Sequence, residues 1–304
     1  MIDILIIGAG CAGLTAALYG KRAGHSTLVL ERLFHGGQIS VTHEVENYPA
    51  VGKISGPELA NRIFEQAAAQ GAEIRYEDVT QAQLDGPVKR IVTGQGDYEA
   101  RTVIIANGVQ RRRLQCPGED AFLGRGVSYC ATCDGAFFKE KDVAVVGGGN
   151  TALEDALFLS RLCRRVYLIH RRDRFRGERV LAEAVAARSN VVPLFCRHVE
   201  SISGSTGVEA IHLLDTAADS REVLPVSGVF VAIGMRPDNR LFAAAGLDEE
   251  GYIAADESCM TRLPGVYAAG DTRTKWLRQI ITAAADGAVA ASRAVRYLET
   301  GEAG

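Results

Sequence analysis

The sequence predicts an α/β protein of two parallel-sheet domains, the second inserted into a discontinuous first. Three observations predict it. A strand–glycine loop–helix–strand module occurs twice, its first glycine at Gly8 and again at Gly147. The run Cys130-Ala131-Thr132-Cys133-Asp134 lies between the copies. After the second copy the chain returns to a strand, Gly265 to Asp271, and to a long helix from about Arg278 to Leu298, elements of the kind that complete the first domain.

The first module is a strand (Ile4–Ile7), Gly8-x-Gly10-x-x-Gly13, a helix, a second strand (Leu28–Leu30) and then Glu31. The second is a strand (Val143–Val146), Gly147-x-Gly149-x-x-Ala152, a helix begun by Asn150-Thr151, a strand (Tyr167–Ile169) and then His170. The offsets match, so Glu31 corresponds to His170. The chemistry is that of Rossmann-like dinucleotide sites. The first glycine allows the tight turn, the second lets the backbone approach a pyrophosphate, and the third position must be small for helix and strand to pack. The helix N-terminus offers unpaired N–H groups and a positive dipole end. Glu31 suits a free ribose 2′-hydroxyl and repels a 2′-phosphate. His170-Arg171-Arg172, followed by Arg176, has the opposite sign and suits a 2′-phosphate. The first site therefore reads as FAD or NAD, the second as NADPH. One such loop in a chain with 33 glycines would carry little weight, since glycine-rich turns are common in α/β proteins. Two in the same context, each ending in a ribose reader at the same distance, carry much more.

At 304 residues, 47% hydrophobic and 23% charged, the chain has ample material for two cores. A net charge of −3 argues against a nucleic-acid partner, and the arginine-dense stretch Arg161–Arg179 is better read as the phosphate site than as a solvated helix face. Met1-Ile2-Asp3 runs directly into the first strand, so no signal peptide is expected. Apolar runs are strand-length and broken by glycine, so no membrane helix is expected. These features predict a cytoplasmic protein.

Of seven cysteines, only Cys130 and Cys133 are close in sequence. An odd, scattered set does not make a disulfide scaffold, and no second ligand pair exists for zinc, so no metal is expected. Cys163, Cys196 and Cys259 lie in apolar or strand-like contexts and read as inert core. Cys116 reads as partly exposed, and Cys11 as a small side chain packed in the first loop. A Cys-x-x-Cys alone could be a buried structural pair; beside two nucleotide loops and an aspartate it reads as a redox dithiol. The organisation expected is 1–113 with 244–304 for the FAD domain, and 114–243 for the NADPH domain carrying the dithiol. The strands Thr102–Ala106, ending in Asn107-Gly108, and Val229–Ile233, ending in Gly234, close the two halves in like manner.

The chain resembles the low-molecular-weight, bacterial-type NADPH-dependent thioredoxin reductases nearly end to end. The resemblance is carried by Gly8-Ala-Gly10-Cys-Ala-Gly13, His35-Gly36-Gly37-Gln38, Val45-Glu46-Asn47-Tyr48-Pro49, Cys130-Ala-Thr-Cys133-Asp134-Gly135, Gly147-Gly-Gly-Asn-Thr-Ala152, His170-Arg-Arg-Asp-Arg-Phe-Arg176, Gly270-Asp271 and Arg278-Gln279. It implies that Gly37, Gln38, Asn47, Gly270, Asp271 and Arg278-Gln279-Ile280 line FAD. It implies that Cys130 and Cys133 form the redox-active disulfide, with Cys133 nearer the flavin and Asp134 the acid/base. It further implies a thioredoxin-like disulfide partner, a homodimer, and rotation of the domains about linkers near Arg111–Pro117 and Arg240–Gly246. Four positions depart from the family pattern: Cys11 where proline is usual, Asn107 where threonine is usual, Ala136 in place of an aromatic, and Trp276, the only tryptophan. Three other readings are weighed. A flavin dithiol oxidase should lack the His-Arg-Arg reader, and a ferredoxin–NADP reductase the dithiol. A nucleotide-sensing module would need neither the dithiol nor Asp134.

Overall fold

The computed structural model describes residues 1–42 and 45–301, with Cys133 described by its backbone alone. Met1–Gln110 and Arg236–Gly304 form one compact unit, and Arg111–Met235 another.

The first unit is built on a seven-stranded sheet. Its order is Glu73–Tyr76, Thr27–Glu31, Ile2–Ile7, Asp97–Ile105, Lys89–Thr93 and Val79–Gln83, with Val266–Ala268 also pairing with Asp97–Ile105. Ile2–Ile7 lies parallel to its neighbours, Ile4 opposite Thr27 on one side and Thr102 on the other. Both its faces are covered, which is why its residues run apolar without alternation. Ile4, Ile6, Val29 and Ile104 face the helices Cys11–Arg22 and Ile280–Thr300, whose Ala16, Ala17, Ala290 and Ala291 complete that core. Leu5, Ile7, Leu30 and Ile105 face the opposite way, onto Ile91, Phe242 and Ile253. The two helices come close because small residues meet: a Cβ on Gly287 would lie 2.2 Å from the Ala12 carbonyl oxygen. The long helix starts at Ile280 rather than Arg278, because Gln279 caps it in a reciprocal box with Thr282.

The second unit repeats the plan. Its five parallel strands run Val191–Leu194, Arg165–Ile169, Asp142–Val146, Gly228–Val231 and Val127–Ser128. Val143, Val145, Leu168 and Phe230 pack on helix Asn150–Leu159 through Ala152, Leu153 and Ala156. Ala144, Val146, Ile169 and Val229 pack on an antiparallel meander, Arg197–Gly204, Val208–Asp215 and Ser220–Pro225, through Ile202, Ile211 and Leu213.

The expected divisions at 113/114 and 243/244 differ from these units. Residues 236–243 go with the first unit because Phe242 fills its core and Asn239, 2% exposed, donates to the Gly251 and Thr272 carbonyls. Cys163 and Cys259 are buried, but Cys196 is only half-buried, in a turn with φ of 56°. Among the described residues no helix is long and apolar enough to cross a membrane, and no cluster of side chains could hold a metal ion.

Candidate active site

The two glycine loops share one construction. Gly8 has φ of 107°, and a Cβ there would lie 2.4 Å from the Ala106 carbonyl oxygen. A Cβ on Gly13 would lie 1.8 Å from the Gly8 carbonyl oxygen. On Gly147 it would lie 2.2 Å from the Ala232 carbonyl oxygen, with Ala152 fully buried beside it. The middle glycines differ. A Cβ on Gly10 or Gly149 meets nothing within 4 Å. Each is the extended N-cap of its helix, Cys11–Arg22 or Asn150–Leu159, without a side-chain cap. Both loops thus leave open space over unpaired helix N–H groups, where a pyrophosphate can be held.

This contrast yields an expected result. Gly149→Ala should leave the melting temperature nearly unchanged and weaken pyridine-nucleotide binding at least about tenfold. Gly13→Ala forces a Cβ into a carbonyl oxygen and lowers the melting temperature. Thermal scans and NADPH titration check both; tight NADPH binding by Gly149→Ala would show that nothing approaches that loop.

Beside the first loop, Glu31 accepts the Ala9 N–H at 2.8 Å and the Leu33 N–H at 3.1 Å, one on each carboxylate oxygen. Lone pairs remain for a ribose diol. The turn carrying Gly37 approaches Gly10, since a Cβ on Gly37 would lie 3.4 Å from the Gly10 Cα, and Gln38 donates to the Val109 carbonyl at 3.3 Å. Beyond strand Val266–Ala268, Gly270 takes φ of 80° and a Cβ there would lie 2.9 Å from Ala12 Cβ. This sets Asp271 against the first loop. Among the described residues, Asp271 Oδ1 is buried without a hydrogen-bond partner. Burial pushes its carboxyl up, Lys275 and Arg278 pull it down, and Asp286 adds to the rise. A buried acceptor left unpaired is costly, and a cofactor hydroxyl fits it. Arg278 donates to the Asp271 carbonyl at 3.2 Å and stacks 4.0 Å over the Tyr252 ring. Asn47 donates to Gln279 Oε1 at 3.1 Å, and the Ile280 carbonyl faces Cys11 Sγ at 3.6 Å. The residues expected to line FAD are therefore brought together, and they fit it.

In the second unit, the Arg176 N–H donates to the Gly148 carbonyl at 2.7 Å, folding the basic segment onto the loop. Asn150 is fixed by Glu178, donating to its carboxylate and accepting its N–H, both at 2.8 Å. His170 is 5% exposed, packs under Gly148, and leaves Nε2 buried without a partner among the described residues. Burial and then Arg176, Arg171 and Arg172 push its pKa down, so the ring is neutral. The charges offered to a ligand are Arg171, Arg172 and Arg176, all exposed, alongside Thr151.

The dithiol follows strand Val127–Ser128, on the single turn Ala131–Asp134. Cys130 is disulfide-bonded, and its Sγ lies 3.3 Å from Thr132 Oγ1. The Cys133 side chain lies outside the described residues. Ser128 was not anticipated from sequence. Its buried hydroxyl donates to Asp134 Oδ2 at 2.6 Å and accepts the Cys130 N–H at 3.0 Å, fixing acid and sulfur in one frame. Its place two residues before the first cysteine was the available signal. Gly135 is fixed too: a Cβ there would lie 2.9 Å from Leu159 Cδ2.

Asp155, on helix Asn150–Leu159, has its carboxyl pushed up to about 7, by burial first, opposed by Arg111 and reinforced by Glu154. A carboxyl whose folded pKa exceeds its unfolded one is bound to more protons when folded, so its contribution to stability falls as pH rises from about 4 to about 7. Asp155→Asn should therefore raise the melting temperature above neutral pH and change it little near pH ~4. A thermal series against pH checks this; a uniform shift at all pH values would remove the titration from the account.

Paired dinucleotide loops with an intervening disulfide define a two-nucleotide disulfide oxidoreductase. The pyridine nucleotide-disulphide oxidoreductase family matches residues 2–287, and the chain belongs to it. Within that family it is a flavoprotein disulfide reductase of the thioredoxin reductase type. It is 45% identical to the thioredoxin reductase of Treponema pallidum over 98% of this chain and 97% of that protein. To the thioredoxin reductase of Listeria innocua it is 44% identical, covering 98% of this chain and 94% of that protein. The crystal structure of Lactococcus lactis thioredoxin reductase superposes with a TM-score of 0.94 at 36% identity, covering 98% of this chain and 99% of that one.

Proposed function

We propose that this chain reduces the disulfide of thioredoxin, or of a thioredoxin-like protein, with electrons from NADPH, using FAD. The carrying observation is the pair of open glycine loops with readers of opposite charge, one carboxylate and one arginine cluster, in a chain whose Cys130 is disulfide-bonded.

Bound FAD supplies two-electron transfer between a nicotinamide and a disulfide. The residues of the first unit, Gly8, Gly10, Gly13, Glu31, Gly37, Gln38, Asn47, Gly270, Asp271, Arg278, Gln279 and Ile280, hold it. Glu31 takes the ribose of its adenosine half, and Asp271 takes a hydroxyl on its unpaired oxygen. In the second unit Gly147, Gly149, Asn150 and Thr151 receive the NADPH pyrophosphate. Arg171, Arg172 and Arg176 neutralise the 2′-phosphate, and His170 supports the loop from beneath.

Two-electron reduction of the Cys130 disulfide releases Cys130 as the departing thiolate; Asp134, held by Ser128, gives it a proton and takes that proton back before exchange. Cys130 as thiolate then attacks the partner disulfide. One partner sulfur leaves and takes a proton, and a mixed disulfide forms. Cys133 attacks Cys130, freeing the second partner sulfur and restoring the disulfide. The same reading includes a homodimer in the cytoplasm, on the family resemblance.

Titration of the purified yellow protein with NADPH and NADH, with and without thioredoxin disulfide, tests this. NADPH should be consumed in many turnovers only when the disulfide is present. Equal consumption without it, at the expense of oxygen, would sink the proposal in favour of an oxidase.

A further inference from the structure

Beneath the Gly270–Asp271 turn lies an ionic cluster that no step above uses. Asp286, on helix Ile280–Thr300, is 5% exposed. Its Oδ2 accepts the Gly270 N–H, Arg273 Nε and Lys275 Nζ, each at 2.8 Å, and its Oδ1 accepts Arg273 Nη2 at 2.7 Å. Arg273 is 1% exposed and donates onward to the Ala255 and Thr274 carbonyls at 3.3 and 2.9 Å. Lys275 donates to the Thr282 carbonyl at 3.3 Å. One carboxylate thus ties the backbone at Gly270 to the segment on either side of Asp271. Gly270 stands at φ of 80° against Ala12 of the first loop, and the next residue carries the orphaned buried oxygen, Asp271 Oδ1.

Two buried cations on one buried carboxylate, with the exposed Glu257 3.7 Å from Arg273, are a poor way to gain stability alone, because each buried charge loses its hydration before pairing. They are a good way to hold a turn rigid, since the bidentate guanidinium fork and the backbone N–H fix the carboxylate in orientation as well as distance. From this geometry we infer that Asp286 is a positioning residue for the flavin cofactor. It holds Gly270 so that Asp271 Oδ1 stays aimed at the cofactor hydroxyl, with Arg273 and Lys275 as its braces. The inference rests on the FAD assignment of the first unit.

The test uses apoprotein stripped of cofactor and titrated with FAD by fluorescence quenching, at a temperature where circular dichroism shows the fold intact. Asp286→Asn should raise the FAD dissociation constant at least about tenfold and also lower the melting temperature, since it strands buried cations. Asp286→Asn with Lys275→Gln keeps the net charge of the cluster at that of wild type. It should recover most of the melting temperature while FAD stays weakly bound. NADPH affinity, a property of the second unit, should be unchanged in both. Recovery of FAD affinity together with melting temperature in the double variant would overturn the inference, leaving a charge-balancing role. So would wild-type FAD affinity in Asp286→Asn, or failure of both variants to fold. The wild-type titration is the separate check on the FAD assignment: wild-type apoprotein that takes up no FAD sinks that assignment instead.

Discussion

Cys130→Ser and Cys133→Ser each abolish catalytic reduction of thioredoxin, by on the order of 10³-fold or more, while both still pass hydride from NADPH to the flavin. Thiol–disulfide exchange needs an attacking and a resolving sulfur, and hydride acceptance needs neither. The two variants differ in colour. The family resemblance implies that Cys133 is the flavin-side cysteine; on that reading Cys130→Ser should leave one thiolate beside the oxidised ring and show a long-wavelength charge-transfer band. Its pH dependence reports the titration of that thiol. Cys133→Ser shows little of the band. Ser128 holds the Cys130 N–H and Asp134 together, so the backbone at the first cysteine and the acid should keep their places whichever cysteine is altered. Absorbance spectra of the two purified variants decide it. A band in Cys133→Ser alone would reverse the roles, and turnover at the wild-type rate in either would remove the dithiol from the mechanism.

Arg171→Ala combined with Arg172→Ala raises the Michaelis constant for NADPH about 10- to 100-fold and leaves that for NADH within about twofold. The range is set below the full strength of two charge-assisted bonds, because both side chains are exposed and water and salt screen them. The sign follows from the geometry. The Arg176 N–H bonds the Gly148 carbonyl, so the cationic segment is folded against the second loop rather than turned away from it. His170, buried and neutral, contributes no charge, so His170→Asn should spare the discrimination better than the double arginine variant does. Steady-state kinetics with both nucleotides at two salt concentrations measure this. Discrimination that survives in the double variant would mean that the second loop does not read a 2′-phosphate.

Much of the fold, and most of the residues gathered in the candidate site, could be read from the chain. Both loops declare themselves because each glycine answers a local demand: a backbone contact at Gly8, Gly13 and Gly147, and open space at Gly10 and Gly149. The continuous apolar strands Ile4–Ile7 and Val143–Val146 are legible for a similar reason, since strands covered on both faces cannot alternate. The half-buried place of Cys196 was not legible, because its apolar neighbours resemble a strand while the backbone turns there at φ of 56°. Nor was the boundary after Met235. Asn239 and Phe242 look like linker in sequence, and only the core they enter shows which unit owns them.

The sequence by itself determined the α/β class, the two glycine-loop modules, the opposite charge of the residues that follow their second strands, and the Cys-x-x-Cys-Asp run between them. These depend on residues within one loop or on a period set by helix and strand geometry, which a linear pattern preserves. Only the tertiary structure decided what stands behind them. Ser128 reaches Asp134 across a turn, His170 slides under Gly148, and Asp286 crosses from a distant helix turn to the Gly270 N–H. Such contacts arise where the chain doubles back. A buried polar group takes whichever partner the packing brings within hydrogen-bond reach, and separation along the chain says little about which one that is.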